Sequence, residues 1–416
     1  MPPVWPSPTA GGSPTAMRKD GHVELETFRW LLSGDGQRLL ARAAMAYVDA
    51  GGDPMVSAEA VRRIEPDPDR AAAALTQVGL RARAVPKFGD DAVRLYFTPD
   101  GLEQATHPRV AAHRAARIAA ADLETVVDLS CGIGGDLMEL ARTGLTSAGV
   151  DRDPVRAEIA GANLAALGLS GAVMATDAQG VDVSGFGVAV LDPSRRSARG
   201  RIFDVHGWEP GWDTVLRLLS GRAVVKVAPG IPHELVPPGV EAEWVSLGGE
   251  VKEAALWSPR LATCGHRATV LAPAGLATLT EEDDPYTGAD RPVRDLGDYL
   301  YEPDGAVIRA GLVTAVAAGV DGGLVDEHIA YVTSDASFRT PFARGFRVLE
   351  QLPYREKQLK AALRQRGIGR LTIKKRGVDV VPDALRKRLD LTGESEATLV
   401  LTRIAGIGTA LLVQPF

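Results

Sequence analysis

The chain of 416 residues is 45% hydrophobic and 24% charged, a balance typical of globular proteins, and its length predicts two or three domains. It has no signal-peptide pattern and no apolar run long enough to span a membrane, and its two cysteines cannot build a disulfide framework. A helical membrane protein and a disulfide-rich secreted protein are therefore excluded, and a cytoplasmic protein is expected. The net charge of −6 argues mildly against a nucleic-acid partner.

The N-terminal part of the chain is predicted to be helical. Residues 1–21 are expected to form a disordered tail, because Pro, Gly, Ser and Thr dominate the start of the chain. Over residues 22–121 apolar side chains recur at helical spacing, and residues 108–121 have the pattern of one helix with Pro in its first turn. Within this region, residues 92–97 predict a short strand.

A glycine-rich turn after a buried strand is the most informative feature. The apolar, β-branched run that ends at Asp128 is typical of a core strand in a parallel sheet. Three glycines follow between Gly132 and Gly135, and backbone without Cβ atoms can approach a nucleotide-like ligand closely. Asp151 lies 19 residues after Gly132, about where a doubly wound fold places the acid that binds a ribose diol.

Strands and helices alternate beyond this point, which predicts a parallel sheet with helices on both faces. A hairpin is expected to end the sheet, and a Pro-, Gly- and acid-rich linker over residues 272–294 is expected after it. The predicted strands are 125–129, 147–151, 172–175, 187–191 and 222–227, with 242–247 and 268–271 in the hairpin.

The run Asp128-Leu-Ser-Cys-Gly-Ile-Gly-Gly135 resembles motif I of class I S-adenosylmethionine (SAM)-dependent methyltransferases, including trimethylguanosine synthase and several RNA methyltransferases. The resemblance implies an α/β fold: a Rossmann-like methyltransferase domain with a helical N-terminal region and a small α+β C-terminal domain. It also implies SAM as the cofactor. The implied cofactor-binding residues are Asp128, Ser130, Cys131, Gly132, Gly134, Gly135, Asp151, Asp177, Ala178 and Thr106.

Several of these positions also have simple structural interpretations. Asp151 could cap the helix that begins near Pro154, although Asp153 suits that role better. Asp177, implied to accept from the adenine amino group, could be an ordinary loop residue. Thr106 could cap or pack rather than contact a ligand.

The segment from Asp192 to Arg196 follows the fourth predicted strand, where class I enzymes contact the methyl acceptor. Enzymes that methylate nucleic-acid amines carry Asp/Asn/Ser-Pro-Pro and an aromatic residue here, whereas this chain has Arg195 in the aromatic position. Arginine can stack on a base or bind phosphate; the alternative is a turn with two exposed arginines. The predicted catalytic residues are Asp192, Pro193, Arg195 and Arg196.

Other features near this segment refine the prediction. Trp208 or Trp212 could supply the missing stacking surface, although core packing is the more usual role of tryptophan. The fifth strand carries no cysteine, so covalent C5 methylation is not expected. The spacing of His and Cys residues predicts no metal site.

A basic segment lies near the C-terminus. Residues 336–390 contain 15 Lys or Arg and 5 Asp or Glu, a local net charge of +10, which leaves −16 on the remainder. Such clustering favours a polyanionic partner, although a solvated helix face is the alternative. Residues 369–377 and 299–304 resemble the THUMP-like C-terminal module of actinobacterial methyltransferases, which implies RNA binding. The predicted RNA-binding residues are Arg364, Arg366, Arg370, Lys374, Lys375 and Arg376.

The sequence is thus interpreted as a SAM-dependent methyltransferase that modifies a base nitrogen of RNA, with transfer RNA the favoured partner and no metal or membrane. A methyltransferase for a protein or small molecule, and a non-catalytic RNA-binding protein with a vestigial SAM site, are the alternatives. The predicted division is a tail at 1–21, a helical region at 22–121, a SAM-binding domain at 122–275, a linker at 276–294 and a THUMP-like domain at 295–416.

Overall fold

The computed structural model describes residues 24–194, 207–286 and 292–416, together with the backbone of 196–197 and 200–201. The predicted N-terminal tail lies outside these residues. The chain forms two compact units, Met1–Lys226 with Ser258–Leu261, and Val227–Trp257 with Ala262–Phe416. Within the described ranges, every helix is too short or too polar to cross a membrane.

The N-terminal region is helical, as predicted. Asp53 and Asp67 cap two of its helices, and each is followed by Pro at the first helical position. The helices pack on the elements that follow the glycine turn, since Phe28, Phe97 and Leu137 belong to one buried core. The helices are α1 (Leu25–Leu32), α2 (Gly34–Asp49), α3 (Pro54–Arg62), α4 (Pro68–Phe88), α5 (Pro99–Gln104) and α6 (Pro108–Ala119).

The strand predicted over 92–97 is wrong. A 3-10 helix ends at Val93, and residues 95–98 that follow form no regular secondary structure and pair with no strand. Side-chain amides satisfy its backbone instead: the N–H of Tyr96 donates to Asn163 Oδ1 at 2.7 Å, and the N–H of Phe97 donates to Gln77 Oε1 at 3.0 Å. These buried amides stand in for a neighbouring strand.

The first unit contains a parallel arrangement of strands. The pairs β1–β2, β1–β4, β2–β3 and β4–β7 are all parallel, so the carboxyl ends of these strands share one edge. The elements are β1 (Thr125–Asp128), α7 (Gly135–Arg142), β2 (Thr146–Asp151), α8 (Pro154–Ala166), β3 (Ala172–Ala175), β4 (Val188–Leu191), β5 (Arg196–Ser197), β6 (Gly200–Arg201), α9 (Trp212–Leu219) and β7 (Ala223–Val227). The five predicted core strands are confirmed.

The second unit begins with four strands in the order β11-β10-β8-β9. The hairpin predicted from 242–247 and 268–271 is wrong, because these strands, β8 and β10, pair parallel and the antiparallel partner of β8 is β9, a strand that was not predicted. Strand β11 pairs antiparallel with β10 inside the stretch that the sequence assigns to a linker. This strand is only six residues long and is flanked by Pro, Gly and acidic residues, so local composition did not predict it. Pairing with β10 stabilises it. The strands are β8 (Glu241–Leu247), β9 (Glu250–Trp257), β10 (His266–Ala272) and β11 (Gly275–Thr280).

The C-terminal part of the second unit is a seven-stranded sheet in the order β13-β14-β12-β15-β18-β17-β16. From β15 onward the order of elements is β-α-β-α-β-β, in agreement with the small α+β domain predicted for the C-terminal part. Helices α12 and α13 share one apolar core with β16 and β17. The elements are β12 (Tyr299–Pro303), α10 (Gly305–Ala310), α11 (Val313–Gly319), β13 (Gly323–Asp326), β14 (Ile329–Ser334), β15 (Ala343–Leu352), α12 (Glu356–Gln365), β16 (Ile368–Lys375), α13 (Pro382–Leu389), β17 (Ser395–Ile404) and β18 (Ile407–Pro415).

Candidate cofactor and acceptor site

The glycine turn joins β1 to α7 at the carboxyl edge of the parallel strands. Gly132 and Gly134 have φ of 55° and 91°, in the left-handed region that glycine adopts without strain. A Cβ on Gly134 would lie 3.4 Å from Ala160 of α8. The turn therefore allows α8 to pack closely against Gly134 while its backbone stays accessible to a ligand.

Asp151 ties the end of β2 to this turn. Its carboxylate accepts the N–H of Gly132 at 2.9 Å through Oδ2 and the N–H of Asp153 at 2.9 Å through Oδ1. Each carboxylate oxygen has a second lone pair, so both can accept one further hydrogen bond. The helix cap is Asp153, whose Oδ1 accepts the N–H of Val155 at 2.8 Å, which leaves Asp151 available for another role.

Asp128 is a buried acid at the end of β1. Its Oδ1 accepts the N–H of Ser130 at 3.1 Å. Burial, followed by the neighbouring charge of Asp136, raises the pKa of Asp128 to about 7. A cation beside Asp128 would compensate the buried charge and favour its ionised form.

Asp136, in the first turn of α7, is the centre of a buried polar network. Arg114 of α6 donates to Asp136 Oδ1 from Nη2 at 2.8 Å and from Nε at 3.0 Å, and the hydroxyl of Thr106 donates to Oδ2 at 2.6 Å. Burial alone would raise the pKa of Asp136, but the charges of Arg114 and Lys226 outweigh it and hold that pKa well below its usual range. These partners therefore favour the ionised form of the buried Asp136 carboxyl group.

Lys226, near the end of β7, connects this network to the end of β4. Its ammonium donates to Thr106 Oγ1 at 2.7 Å, lies 3.4 Å from Asp136 Oδ2 and pairs with the carboxylate of Asp192. The Lys226 side chain is 10% exposed and that of Asp192 is 34% exposed. Asp192 is further fixed by its own N–H, which donates to Ser130 Oγ at 2.6 Å. The glycine turn and the end of β4 thus form one hydrogen-bonded constellation.

Comparisons with known proteins identify the family of this chain. A curated relative from Mycobacterium tuberculosis (strain CDC 1551 / Oshkosh), described as an uncharacterized S-adenosylmethionine-dependent methyltransferase, is 40% identical over 347 residues, 81% of this chain and 94% of the relative. The chain belongs to the S-adenosylmethionine-dependent methyltransferases. A relative of the same description from strain ATCC 25618 / H37Rv matches this methyltransferase to the same extent. The predicted family and cofactor are confirmed.

Two family profiles match parts of the methyltransferase, and one solved structure matches most of it. Residues 343–415 match the family described as THUMP domain-like, and residues 24–84 match a domain of unknown function, DUF8688. The crystal structure of a candidate methyltransferase from Porphyromonas gingivalis W83 superposes with a TM-score of 0.70 at 22% identity, covering 91% of this chain and 98% of that one. The predicted α/β fold class is confirmed.

The other predicted cofactor residues differ in their exposure and in their hydrogen-bond partners. Asp177 is exposed after β3, and its Oδ1 accepts the N–H of Gln179 at 2.8 Å, which caps the 3-10 helix that starts at Ala178. Burial raises the pKa of the Cys131 thiol well above its usual range, which disfavours the thiolate form at this position. Thr106 does not cap α6, since His107 Nδ1 accepts the N–H of Arg109 at 3.2 Å; its hydroxyl belongs to the Asp136 network instead.

The predicted acceptor segment is described only in part. Pro193 is buried beside Asp192. Arg195 and the side chain of Arg196 lie outside the described residues. Trp208 is buried and packs edge-on against Trp212, with ring centroids 5.8 Å apart.

Most of the predicted RNA-binding cations have intramolecular partners. Arg366 Nε donates to Glu350 Oε2 at 2.9 Å, and Arg376 lies over the ring of Tyr331 at 5.4 Å. Lys375 is exposed at the end of β16. The other pairs are Arg364 with Asp390, Arg370 with Glu396, and Lys374 with Glu302. The local charge of +10 is therefore partly neutralised by acids, some of them outside the segment.

Sequence reasoning missed Arg114, Asp136 and Lys226 as members of the site. A usable signal existed for Lys226, because a lysine inside an otherwise apolar core strand is rarely buried unless it is paired. Asp136 directly follows the last glycine of the turn, where a carboxylate at a helix N-terminus is stabilised by the helix dipole. No local pattern distinguishes Arg114 from the other arginines of α6.

Proposed function

We propose that this methyltransferase transfers a methyl group to a base nitrogen of RNA, with transfer RNA as the favoured substrate. The observation that carries the proposal is the Lys226–Asp192 pair, which presents a fixed, partly exposed carboxylate at the carboxyl edge of the sheet, next to the glycine turn. A carboxylate there can accept a hydrogen bond from the N–H of an acceptor amine. The THUMP domain-like match over 343–415 supports RNA as the acceptor.

The residues around the turn fit SAM. Gly132 and Gly134 leave backbone accessible, and Asp151 keeps a free lone pair on each oxygen for the two ribose hydroxyls. Asp128 would pair with the ammonium of the methionine moiety, which would compensate its buried charge. Asp177 and Ala178, after β3, would meet the adenine. When bound, SAM supplies an electrophilic methyl group on a sulfonium.

Asp192 would orient the acceptor rather than activate it strongly. Its carboxylate would accept an N–H of the acceptor amine, direct the nitrogen lone pair towards the methyl group and take up the proton that the nitrogen releases when the C–N bond forms and the methyl–sulfur bond breaks. The carbonyl of Pro193 would accept the second N–H. Transfer of this kind depends mainly on positioning, so the double restraint of Asp192 by Lys226 and Ser130 is the relevant feature.

One observation favours a second candidate, methylation of a protein or small molecule. Arg364, Arg366, Arg370 and Lys374 pair with carboxylates, which reduces the positive potential available to a polyanion. A vestigial SAM site is less well supported, because the glycine geometry, Asp128 and Asp151 all remain suited to the cofactor.

The deciding experiment compares modified nucleosides in total RNA from a deletion strain and its parent by mass spectrometry. A methylated nucleoside that is lost on deletion, restored by the wild-type gene and not restored by Asp192→Asn would support the proposal. Asp213→Asn is the matched control, since Asp213 is an exposed acid of α9. An unchanged nucleoside profile, together with methyl transfer to protein or small molecules by the purified enzyme, would establish the second candidate.

A further inference from the structure

A groove of about 480 Å³ runs along one face of β4 in the first unit. Ala189 and Leu191 line it, and because they are alternate residues of the strand they lie on the same face. Leu129 and Leu218 complete an apolar floor. The groove therefore has an apolar base formed by β4, Leu129 and Leu218 of α9.

The groove exists because one crossover lacks an α-helix. The chain crosses from β1 to β2 through α7 and from β2 to β3 through α8, but from β3 to β4 it forms only a 3-10 helix at Ala178–Gly180 and a loop over 181–187. Parallel sheets normally have helices on both faces. The missing helix leaves this face of β4 open between the loop and α9.

Three arginines line the groove: Arg217 on α9, Arg222 before β7 and Arg260 in the turn after β9. All three are exposed, and in the part of the chain that the structure describes no acid pairs with them. The lining carboxylate of Asp182 turns back to accept the N–H of Ser184 at 2.9 Å. The groove thus combines an apolar floor with a concentrated positive charge.

We infer that this arginine groove binds the phosphodiester backbone of the RNA acceptor about one strand length away from the methylated base. The inference rests on the proposed function. Arginine matches phosphate with a planar fork of N–H donors, and the apolar floor suits a base or ribose face. The arginines lie at the amino ends of β4 and β7, because the N–H of Ala189 donates to the carbonyl of Arg222 at 3.0 Å. From there the groove follows the four residues of β4, about 13 Å of strand, to Leu191 next to Asp192. A nucleotide near the acceptor base, but not adjacent to it, would therefore reach the arginines.

The test measures RNA binding and methyl transfer by the full-length enzyme carrying Arg217→Gln, Arg222→Gln and Arg260→Gln. The matched control carries Arg42→Gln, Arg62→Gln and Arg83→Gln, which removes the same charge from exposed positions of α2, α3 and α4. Binding of unfractionated transfer RNA is measured over a salt series, and AMP is titrated as a competitor. SAM binding by calorimetry verifies that each variant is folded.

The groove variant should bind RNA more weakly than the control, and its log–log salt slope should fall by about 0.7 for each lost contact to a single strand. Its KM for RNA should rise while kcat is retained. Equal RNA binding and KM in the two variants would overturn the inference and leave the proposed function intact. AMP that binds the wild type and the control but not the groove variant, and that does not displace RNA, would make the groove a mononucleotide site and also overturn the inference. A wild-type enzyme that binds no RNA would refute the proposed function and the inference together.

Discussion

The ammonium of Lys226 pairs with the carboxylate of Asp192 across the carboxyl ends of β7 and β4. The same ammonium donates to Thr106, whose hydroxyl donates to Asp136 in the first turn of α7. A change at any of these positions is therefore expected to affect both the glycine turn and the carboxylate of Asp192. This coupling leads to the first two predictions.

Lys226→Met should reduce kcat for methyl transfer by about tenfold or more, because Asp192 loses the cation that orients it and misplaced acceptors react slowly. The Kd for SAM should change much less. Steady-state kinetics and calorimetry measure the two effects. Lys252→Met, which removes an exposed pair with Glu250, is the control and should leave both values near wild type. Equal kcat in the two variants would show that Lys226 does not position the acceptor site.

Arg114→Leu should lower the free energy of unfolding by about 3–5 kcal/mol, since it leaves the buried charge of Asp136 without its main partner. Arg142→Leu removes a more exposed pair with Asp91 and should cost at most about 1 kcal/mol. Denaturant unfolding of the two variants measures the difference. Similar losses in both would show that the buried network is not a major source of stability.

Asp128 should make stability depend on pH. Its pKa is about 7 in the folded protein and about 3.9 in the unfolded chain. Between these values the folded state holds the proton that the unfolded state releases, so stability should fall as pH rises from about 4 to about 7, by up to about 1.4 kcal/mol per pH unit. Asp128→Asn should remove this contribution. The free energies of unfolding of the wild type and of Asp128→Asn, measured over that pH range, should differ by this contribution.

SAM affinity should rise with pH through the same range. The ammonium of the cofactor favours ionised Asp128, so affinity should weaken by up to about tenfold for each pH unit below 7. In Asp128→Asn the dependence should disappear. Calorimetric titration at several pH values tests this, and identical pH profiles for the two proteins would remove Asp128 from the cofactor site.

Gly134→Ala should weaken SAM binding, whereas Gly144→Ala should not. Both glycines have positive φ, 91° and 87°, so each substitution should cost about 1–2 kcal/mol of stability through backbone strain. Only Gly134 lies in the glycine turn, with Ala160 at 3.4 Å from its added Cβ; Gly144 has open space. Equal SAM affinity in both variants would place the cofactor away from this turn.

Charge reversal in the THUMP-like part should weaken RNA binding only at exposed cations that are not paired with an acid. Arg355, Lys357, Lys375 and Lys387 are exposed, and changing them to Glu should flatten the salt dependence by about 0.7 per single-strand phosphate contact. Lys374→Glu should instead destabilise the domain by placing two acids together at Glu302. RNA binding that is unchanged in the four-site variant across a salt series would favour the protein or small-molecule candidate.

The sequence alone predicts the features of this protein that depend on periodic residue patterns or on local backbone geometry. Apolar runs predict the five parallel strands, and helical periodicity predicts the helices between them, because both patterns report burial directly. The glycine turn was recognisable because Gly132 and Gly134 meet a backbone requirement that is local to the turn. The order of strands and helices after β15 was likewise predictable from alternation and turn residues.

Only the tertiary structure brought together Arg114, Asp136, Lys226 and Asp192, which come from α6, α7, β7 and the end of β4. Their contact depends on which strands lie side by side, and periodicity carries no information about that arrangement. The same limit explains β11, which is a strand because β10 pairs with it, and residues 94–97, where buried amides replace a partner strand. It also explains the basic segment, whose charge could be counted from the sequence but whose pairing with distant acids such as Glu302 is decided by the fold.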